Sequence, residues 1–213
     1  MSESQSIKNV AIVGSSALGR QLAHHVSQVG VGRVVGFFDD FAVGGSEVLG
    51  ATKDIPQRFA TGNFDLLCIG VGYKAMQFRH HVFSVNQGRI PFASIRHPSA
   101  VVDPSATVGE GCVLLAQSVV DQNVCLGGNC FLSLSATVSH DSSIGNSSYL
   151  APRATVCGNC KIGERVFLGA GCIIRDGITI CSDAIVGAGA VVVKDIVVPG
   201  VYFGNPARKR NED

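Results

Sequence analysis

The chain has 213 residues, 17 Lys and Arg against 16 Asp and Glu, a formal net charge of +1 and 46% hydrophobic residues. That length suits one or two domains with cores of their own, and a near-neutral balance whose only basic cluster is Arg208, Lys209 and Arg210 argues against a nucleic-acid surface. Met1 to Asn9 is polar and leads into only about six apolar residues, too few for a signal-peptide core or a membrane span, so a cytoplasmic protein without membrane contact is expected.

From the N-terminus, Lys8 to Val13 reads as a strand, Leu18 to Gln28 as an amphipathic helix, and Val34 to Phe38 and Leu66 to Ile69 as two further strands. Phe78 to Asn86 reads as a helix, and Arg89 to Ile95 leads through His97-Pro98 into a different rhythm. Strand, helix, strand and a further strand predict a small Rossmann-like α/β domain with a parallel sheet over residues 1–98.

The first strand ends in Gly14-Ser-Ser-Ala-Leu-Gly19 ahead of the helix, which would present backbone N–H groups to a phosphate or ribose. It is not the G-x-G-x-x-G of a dinucleotide site. The second strand ends at Asp39-Asp40, placed to accept hydrogen bonds from a ribose or base, and the third at Gly70-Val-Gly72, which permits close approach of a ligand. A helix cap, two loop acids and turn glycines would look the same singly; three such features at three successive strand ends favour a nucleotide.

From Val102 to Val192 every sixth residue is Leu, Ile or Val, without exception. A period of six is an internal repeat, a short strand plus a turn with one aliphatic side chain per hexad facing inward. Three hexads make a triangular coil, and the fifteen hexads predict five coils of a parallel β-helix about 24 Å tall at ~4.8 Å per coil over residues 99–213, ending in a C-terminal cap. Four residues after each aliphatic the residue is mostly small, as at Ala106, Cys130, Ser148 and Ala190, which fits a crowded interior. The residue directly after the aliphatic is often Gly (Gly109, Gly127, Gly145, Gly163, Gly169, Gly187), read as a source of backbone freedom for the turns.

Of eight cysteines, Cys112, Cys130, Cys160 and Cys172 fall in the small inward slot, where Cys acts as a compact hydrophobe. Cys157-Gly-Asn-Cys160 has the spacing of a metal knuckle or redox pair, but no second pair completes a four-ligand site, so no metal is expected. His140 is the only histidine within the repeat, and Asp141 follows it. A neutral imidazole can take a proton from an attacking amine or hydroxyl, and an adjoining carboxylate can fix its tautomer. The alternative is a surface histidine at a turn.

The hexads, Gly204-Asn-Pro-Ala-Arg208 after them and the α/β module before them resemble the left-handed β-helix acyltransferases. More narrowly the chain resembles the sialic acid O-acetyltransferase-type family, which includes the N-acetyltransferases of nucleotide-linked 4-amino-4,6-dideoxy sugars. The glycine turn, Phe38-Asp-Asp40, Arg96-His-Pro-Ser-Ala100, Ser139-His-Asp141, Ala151-Pro-Arg-Ala154, Cys157-Gly-Asn-Cys-Lys-Ile-Gly163, Phe167-Leu-Gly-Ala-Gly171 and Val186-Gly-Ala-Gly-Ala190 carry that resemblance over nearly the whole chain. It implies left-handed coiling, a homotrimer with active sites at subunit interfaces, acetyl-CoA as co-substrate, and acetyl transfer to the amine of a UDP-, GDP- or dTDP-linked sugar for bacterial surface glycans such as O-antigen. An O-acetyltransferase for a sugar hydroxyl and a non-catalytic nucleotide-binding scaffold are the alternatives.

Carried over by position, the resemblance makes His140 the general base and Asp141 the acid that raises its basicity. It gives Tyr149, Gly158, Ala170 and Ala188 to acetyl-CoA, and Gly14, Ser16, Ala17, Leu18, Asp39, Asp40 and Gly70 to the nucleotide sugar. The chain departs from the family at Ala17-Leu18, where relatives commonly have Gly-His, and at Tyr149, where some carry a second histidine.

Overall fold

The computed structural model describes residues 7–42 and 45–210; the polar start of the chain, Met1 to Ser6, lies outside the described residues. The chain parts into two compact units between Ile95 and Arg96.

The first unit contains β1 (Asn9–Val13), α1 (Ala17–Gln28), β2 (Arg33–Phe38), β3 (Val48–Gly50), α2 (Ile55–Ala60), β4 (Leu66–Ile69) and α3 (Met76–Asn86). The strands form one parallel sheet in the order β3-β2-β1-β4, the Rossmann-like arrangement that the element pattern predicts. Val10, Ala11, Ile12 and Val13 of β1 are all buried, the unbroken apolar run of a central parallel strand. β3 and α2 escape the sequence pattern because three and six residues are too short to display a period.

Glycine sets how closely α1 approaches the strand ends. A Cβ on Gly19 would lie 1.9 Å from the Gly14 carbonyl oxygen, and one on Gly70 2.6 Å from the Gly19 Cα. The helix start, the β1 turn and the end of β4 therefore meet backbone to backbone.

The second unit is a parallel β-solenoid. Two-residue strands recur every six residues and pair with the strand eighteen residues on, as in Leu126 with Ile144 and Ile144 with Ile162. Three faces result. One carries Thr137–Val138 and Thr155–Val156, the next Ser143–Ile144 and Lys161–Ile162, the third Phe131–Leu132, Tyr149–Leu150 and Phe167–Leu168. The aliphatics from Leu114 to Val192 are buried along the axis. Val102 is only partly buried and Val108 is 38% exposed; their strands end their sheets, whereas the third face continues one strand further, to Ile95–Arg96 on Val113–Leu114.

The small slot has a polar role that spacing did not reveal. Cys112, Cys130 and Cys160 donate from Sγ to the carbonyls of Gly127, Gly145 and Arg175 at 3.0, 3.2 and 3.1 Å. Ser142 and Ser148 donate to Cys157 and Gly163 at 3.0 and 2.9 Å. These side chains tie each corner to the next coil while filling the interior, and burial pushes the Cys172 thiol up to about 12.

The glycines that follow the aliphatics require a correction. Left-handed backbone occurs two residues later, at every sixth residue from Gly111 to Gly189, including Gln117, Asn123, Asp141, Asn159 and Asp183. Gly109, Gly127, Gly145, Gly163, Gly169 and Gly187 are not among the residues with positive φ. In five of them a Cβ would lie 2.5–2.7 Å from the next coil, and at Gly187 it would lie 3.1 Å from Phe203 Cβ. Close stacking of coils, not torsional freedom, demands glycine there.

Past Val192 the chain closes the open edge. Ile196 bridges Ile180, Gly200–Phe203 pairs in parallel with Ala184–Val186, and Arg208–Lys209 returns antiparallel to it. The last coil's unpaired groups are thereby covered.

Candidate functional site

Within the first unit, the ends of β1, β2 and β4 open onto a cleft of about 420 Å³ lined by Gly14, Ser16, Asp39, Asp40 and Gly70, among others. Five of the seven residues predicted for a nucleotide thus share one concavity. Ala17 and Leu18 begin α1 directly after Ser16 but are outside the lining. The cleft also takes in Phe41, Thr52, Tyr73, Lys74 and Phe78, which the sequence reading did not single out. Tyr73 and Lys74 directly follow Gly72, so their position after a strand end was the available signal. Lys74 places a cation, and Tyr73 and Phe78 aromatic surface, around a cavity at the C-terminal ends of parallel strands, where open α/β sheets bind ligands.

The two acids do different work from that expected of free acceptors. Asp39 Oδ2 accepts from Ser15 N–H at 2.8 Å and Ser15 Oγ at 2.6 Å, and Oδ1 from the N–H groups of Phe41 and Ala42 at 2.9 and 3.2 Å. All four lone-pair positions of the carboxylate are engaged, so Asp39 ties the β2 loop to the glycine turn and shapes the cleft. Asp40 Oδ1 accepts from Thr52 N–H at 2.7 Å, and Oδ2 from Thr52 Oγ1 at 2.8 Å.

The Ser15 hydroxyl, joined by the loop N–H groups, holds the Asp39 carboxyl below the ordinary carboxylate range against the opposing effect of burial. A depressed folded value means stability that is present above the ordinary value of about 3.9 and lost as pH falls through the lowered one. Thermal melts across acid pH are expected to show this loss in the native chain. Asp39→Asn should lower the melting temperature at neutral pH and shrink its acid dependence; an unchanged acid slope would refute the assignment.

In the second unit, His140 lies at the corner joining the Thr137–Val138 and Ser143–Ile144 faces. Its Nδ1 is 2.9 Å from Asp141 Oδ2. Asp141 has a φ of +57°, within the left-handed region, and turns its carboxylate back onto the ring that precedes it. A carboxylate only accepts, so Nδ1 carries a proton, and in the neutral imidazole Nε2 holds the lone pair. Hydrogen bonds from His140 and then Asn123 keep the Asp141 carboxyl below its ordinary range. No described residue hydrogen-bonds Nε2, and the side chain is 43% exposed.

Gly158, one coil on from His140, forms the seat for the ring. A Cβ there would lie 2.6 Å from His140 Cε1 and 2.7 Å from Nε2. Its N–H donates to Asp176 Oδ1 at 2.9 Å. Cys157 and Cys160 flank this seat, and burial pushes both thiols up, disfavouring the thiolate that metal binding or redox exchange would need.

One chain does not bring the remaining predicted residues to this corner. Tyr149 stacks on Phe131 with ring centroids 4.4 Å apart and planes at 3°, on the face opposite the His140 corner. Ala170 and Ala188 stack on each other at a different corner, where Gly189 N–H donates to the Ala170 carbonyl at 2.9 Å.

Residues 141–176 and 159–194 match the family described as bacterial transferase hexapeptide (six repeats). The chain is 30% identical over 114 residues to a UDP-N-acetylbacillosamine N-acetyltransferase of Bacillus subtilis, a stretch covering 52% of each, so it spans about half the length of that curated relative. Among solved structures it is similar to PerB from Caulobacter crescentus in complex with CoA and GDP-perosamine, with 30% identity, TM-score 0.85 and 97% and 99% of the two chains covered. It is likewise similar to the acetyltransferase domain of PglB from Neisseria gonorrhoeae in complex with acetyl coenzyme A, with 30% identity, TM-score 0.84 and 96% and 100% covered.

Proposed function

We propose, for a chain that belongs to the bacterial hexapeptide-repeat acyltransferase family alongside the nucleotide-sugar N-acetyltransferases, that it transfers acetyl from acetyl-CoA to the amine of a nucleotide-linked amino sugar. The observation that carries this reading is the His140–Asp141 pair, an imidazole with Nδ1 held by a carboxylate and Nε2 unoccupied at a half-exposed corner. It is supported by PerB and the PglB acetyltransferase domain, which the chain resembles over nearly its whole length and which are in complex with CoA or acetyl-CoA, and by PerB's GDP-perosamine.

In the reaction the neutral sugar amine attacks the thioester carbonyl of acetyl-CoA. His140 Nε2 takes the proton that the amine loses, Asp141 stabilises the imidazolium, and the C–S bond breaks as the tetrahedral adduct collapses. The proton passes to the departing thiolate, leaving an amide and CoA. No covalent enzyme intermediate is needed; orientation and general-base catalysis supply the acceleration.

The N-terminal cleft is the seat of the nucleotide: Lys74 and the α1 N-terminus suit its phosphates, and Tyr73 and Phe78 the face of its base. The placing of Tyr149, Ala170 and Ala188 on another face and corner supports an active site shared between copies of a homotrimer, in which the His140 corner of one copy meets the coenzyme-binding residues of the next.

Mass spectrometry of reactions with acetyl-CoA and a panel of UDP-, GDP- and dTDP-linked 4-amino-4,6-dideoxy sugars tests the proposal. One member should gain an acetyl group. Acetylation confined to a hydroxyl acceptor would replace the amine reading, and failure to bind CoA would end the transferase reading altogether.

A further inference from the structure

The coil before His140 contributes one side chain to the same corner. Asn123 stands eighteen residues before Asp141, in the matching position of the preceding coil, and its Nδ2 donates to Asp141 Oδ1 at 3.0 Å. Asp141 Oδ2, the other oxygen of the same carboxylate, faces His140 Nδ1 at 2.9 Å. Amide, carboxylate and imidazole therefore form a chain in which each carboxylate oxygen has one side-chain partner.

The anchor of that chain is well fixed. Asn123 is itself left-handed, with φ +56°, a conformation that Asn tolerates better than most residues. Its N–H donates to Ser105 Oγ at 2.9 Å, and Ser105 Oγ donates in turn to Asp103 Oδ1 at 2.6 Å. The backbone of the pair is held from both sides, Asp141 N–H by the Gln122 carbonyl and the His140 carbonyl by Asn159 N–H, each at 3.0 Å. What backbone bonds leave undetermined is the rotation of the Asp141 carboxylate about its own side-chain torsions. The side chain is 46% exposed, so packing does not set that rotation. The hydrogen bond from Asn123 does.

We propose that Asn123 is a positioning residue of the active site, which holds the Asp141 carboxylate in the plane that keeps the His140 proton on Nδ1 and the lone pair on Nε2. The inference rests on the reading of His140 as the base. A carboxylate released from Asn123 can rotate away from the ring or turn to water, and the imidazole then samples both tautomers, only one of which accepts a proton at Nε2.

The test uses the full chain with 15N-labelled histidine and the variants Asn123→Gly and Gln117→Gly. Glycine suits the left-handed backbone at both positions, so neither change adds torsional strain; Gln117, φ +61°, occupies the equivalent place at another corner. Long-range 1H–15N spectra of the native chain should show His140 with its proton on Nδ1. Asn123→Gly should give averaged ring-nitrogen signals, and kcat for the acetylated sugar should fall about tenfold with KM little changed. Gln117→Gly should leave both as in the native chain.

A His140 spectrum in Asn123→Gly identical to the native one, in a chain with a native melting profile, would overturn the proposal. The spectrum requires no acetyl transfer. Native protein that acetylates nothing while Asn123→Gly still alters the tautomer would refute the transferase reading and leave the positioning role standing.

Discussion

Replacing His140 with Asn is expected to lower kcat about a hundredfold to ten-thousandfold, the usual contribution of a general base, with little change in folding or in binding of either substrate. Asn retains a donor for the Asp141 carboxylate but offers no basic nitrogen at the position of Nε2. The ring is half exposed at a corner and fills no core space, so its removal leaves no cavity in the stack. Steady-state kinetics with acetyl-CoA and the acceptor, beside a thermal melt, separate the outcomes. A drop in kcat at native stability and similar KM identifies the base; near-native kcat would remove His140 from the chemistry and leave the dyad a surface feature.

Gly145→Ala is expected to be among the most damaging single methyl additions in the solenoid, costing about 3 kcal/mol, at the upper end of overpacking penalties. Its Cβ would sit 2.6 Å from Gly163 C and Glu164 N and 2.7 Å from Gly163 O, all backbone atoms of the next coil. Backbone cannot rotate aside as a flexible side chain can, so two coils must part, straining the Gly145 N–H bond to the Ile162 carbonyl at 2.8 Å. Gly171→Ala provides the contrast. Gly171 has φ +65° and nothing within 4 Å of the added methyl, so its cost should be the left-handed strain of about 1 kcal/mol. Urea unfolding of both variants measures the difference. Equal losses would show that torsion, and not coil spacing, governs these corners.

His140 and Asp141 could be selected in the sequence as one histidine inside a repeat and the acid beside it, yet adjacency alone does not place Nδ1 against a carboxylate. The left-handed φ of Asp141 turns the side chain back toward the ring, and the hydrogen bond from Asn123 fixes the carboxylate there. Glycine after each aliphatic is visible in the sequence as a pattern, but its cause is not: torsional freedom belongs to the position two residues later, where Asn, Asp, Ser and even Arg153 and Arg165 are accommodated. A pattern of residue types records that a position is constrained without recording whether a torsion or a neighbour imposes the constraint.

In the N-terminal unit the three strand ends announced the cleft, because a parallel sheet places its C-terminal ends side by side. The occupation of Asp39 by Ser15, Phe41 and Ala42 was not legible. It depends on how the β2 loop folds back, which no local period encodes. Tyr73, Lys74 and Phe78 were passed over for the related reason that they gain meaning only once β4 and α3 flank a cavity.

By itself the sequence determined the solenoid, the inward residue of every hexad, the parallel α/β module and the presence of one histidine with an acid beside it inside the repeat, because strands and coils repeat with periods of two and six that side-chain burial enforces. Only the tertiary structure decided which glycines answer to coil stacking, which acids are spent on the fold, and that Asn123 and Gly158 meet the His140–Asp141 pair from the coils on either side. Those contacts join residues eighteen apart through the 18-residue register of the coils, and their chemistry depends on rotations and approaches of a few tenths of an ångström that are settled by packing in three dimensions.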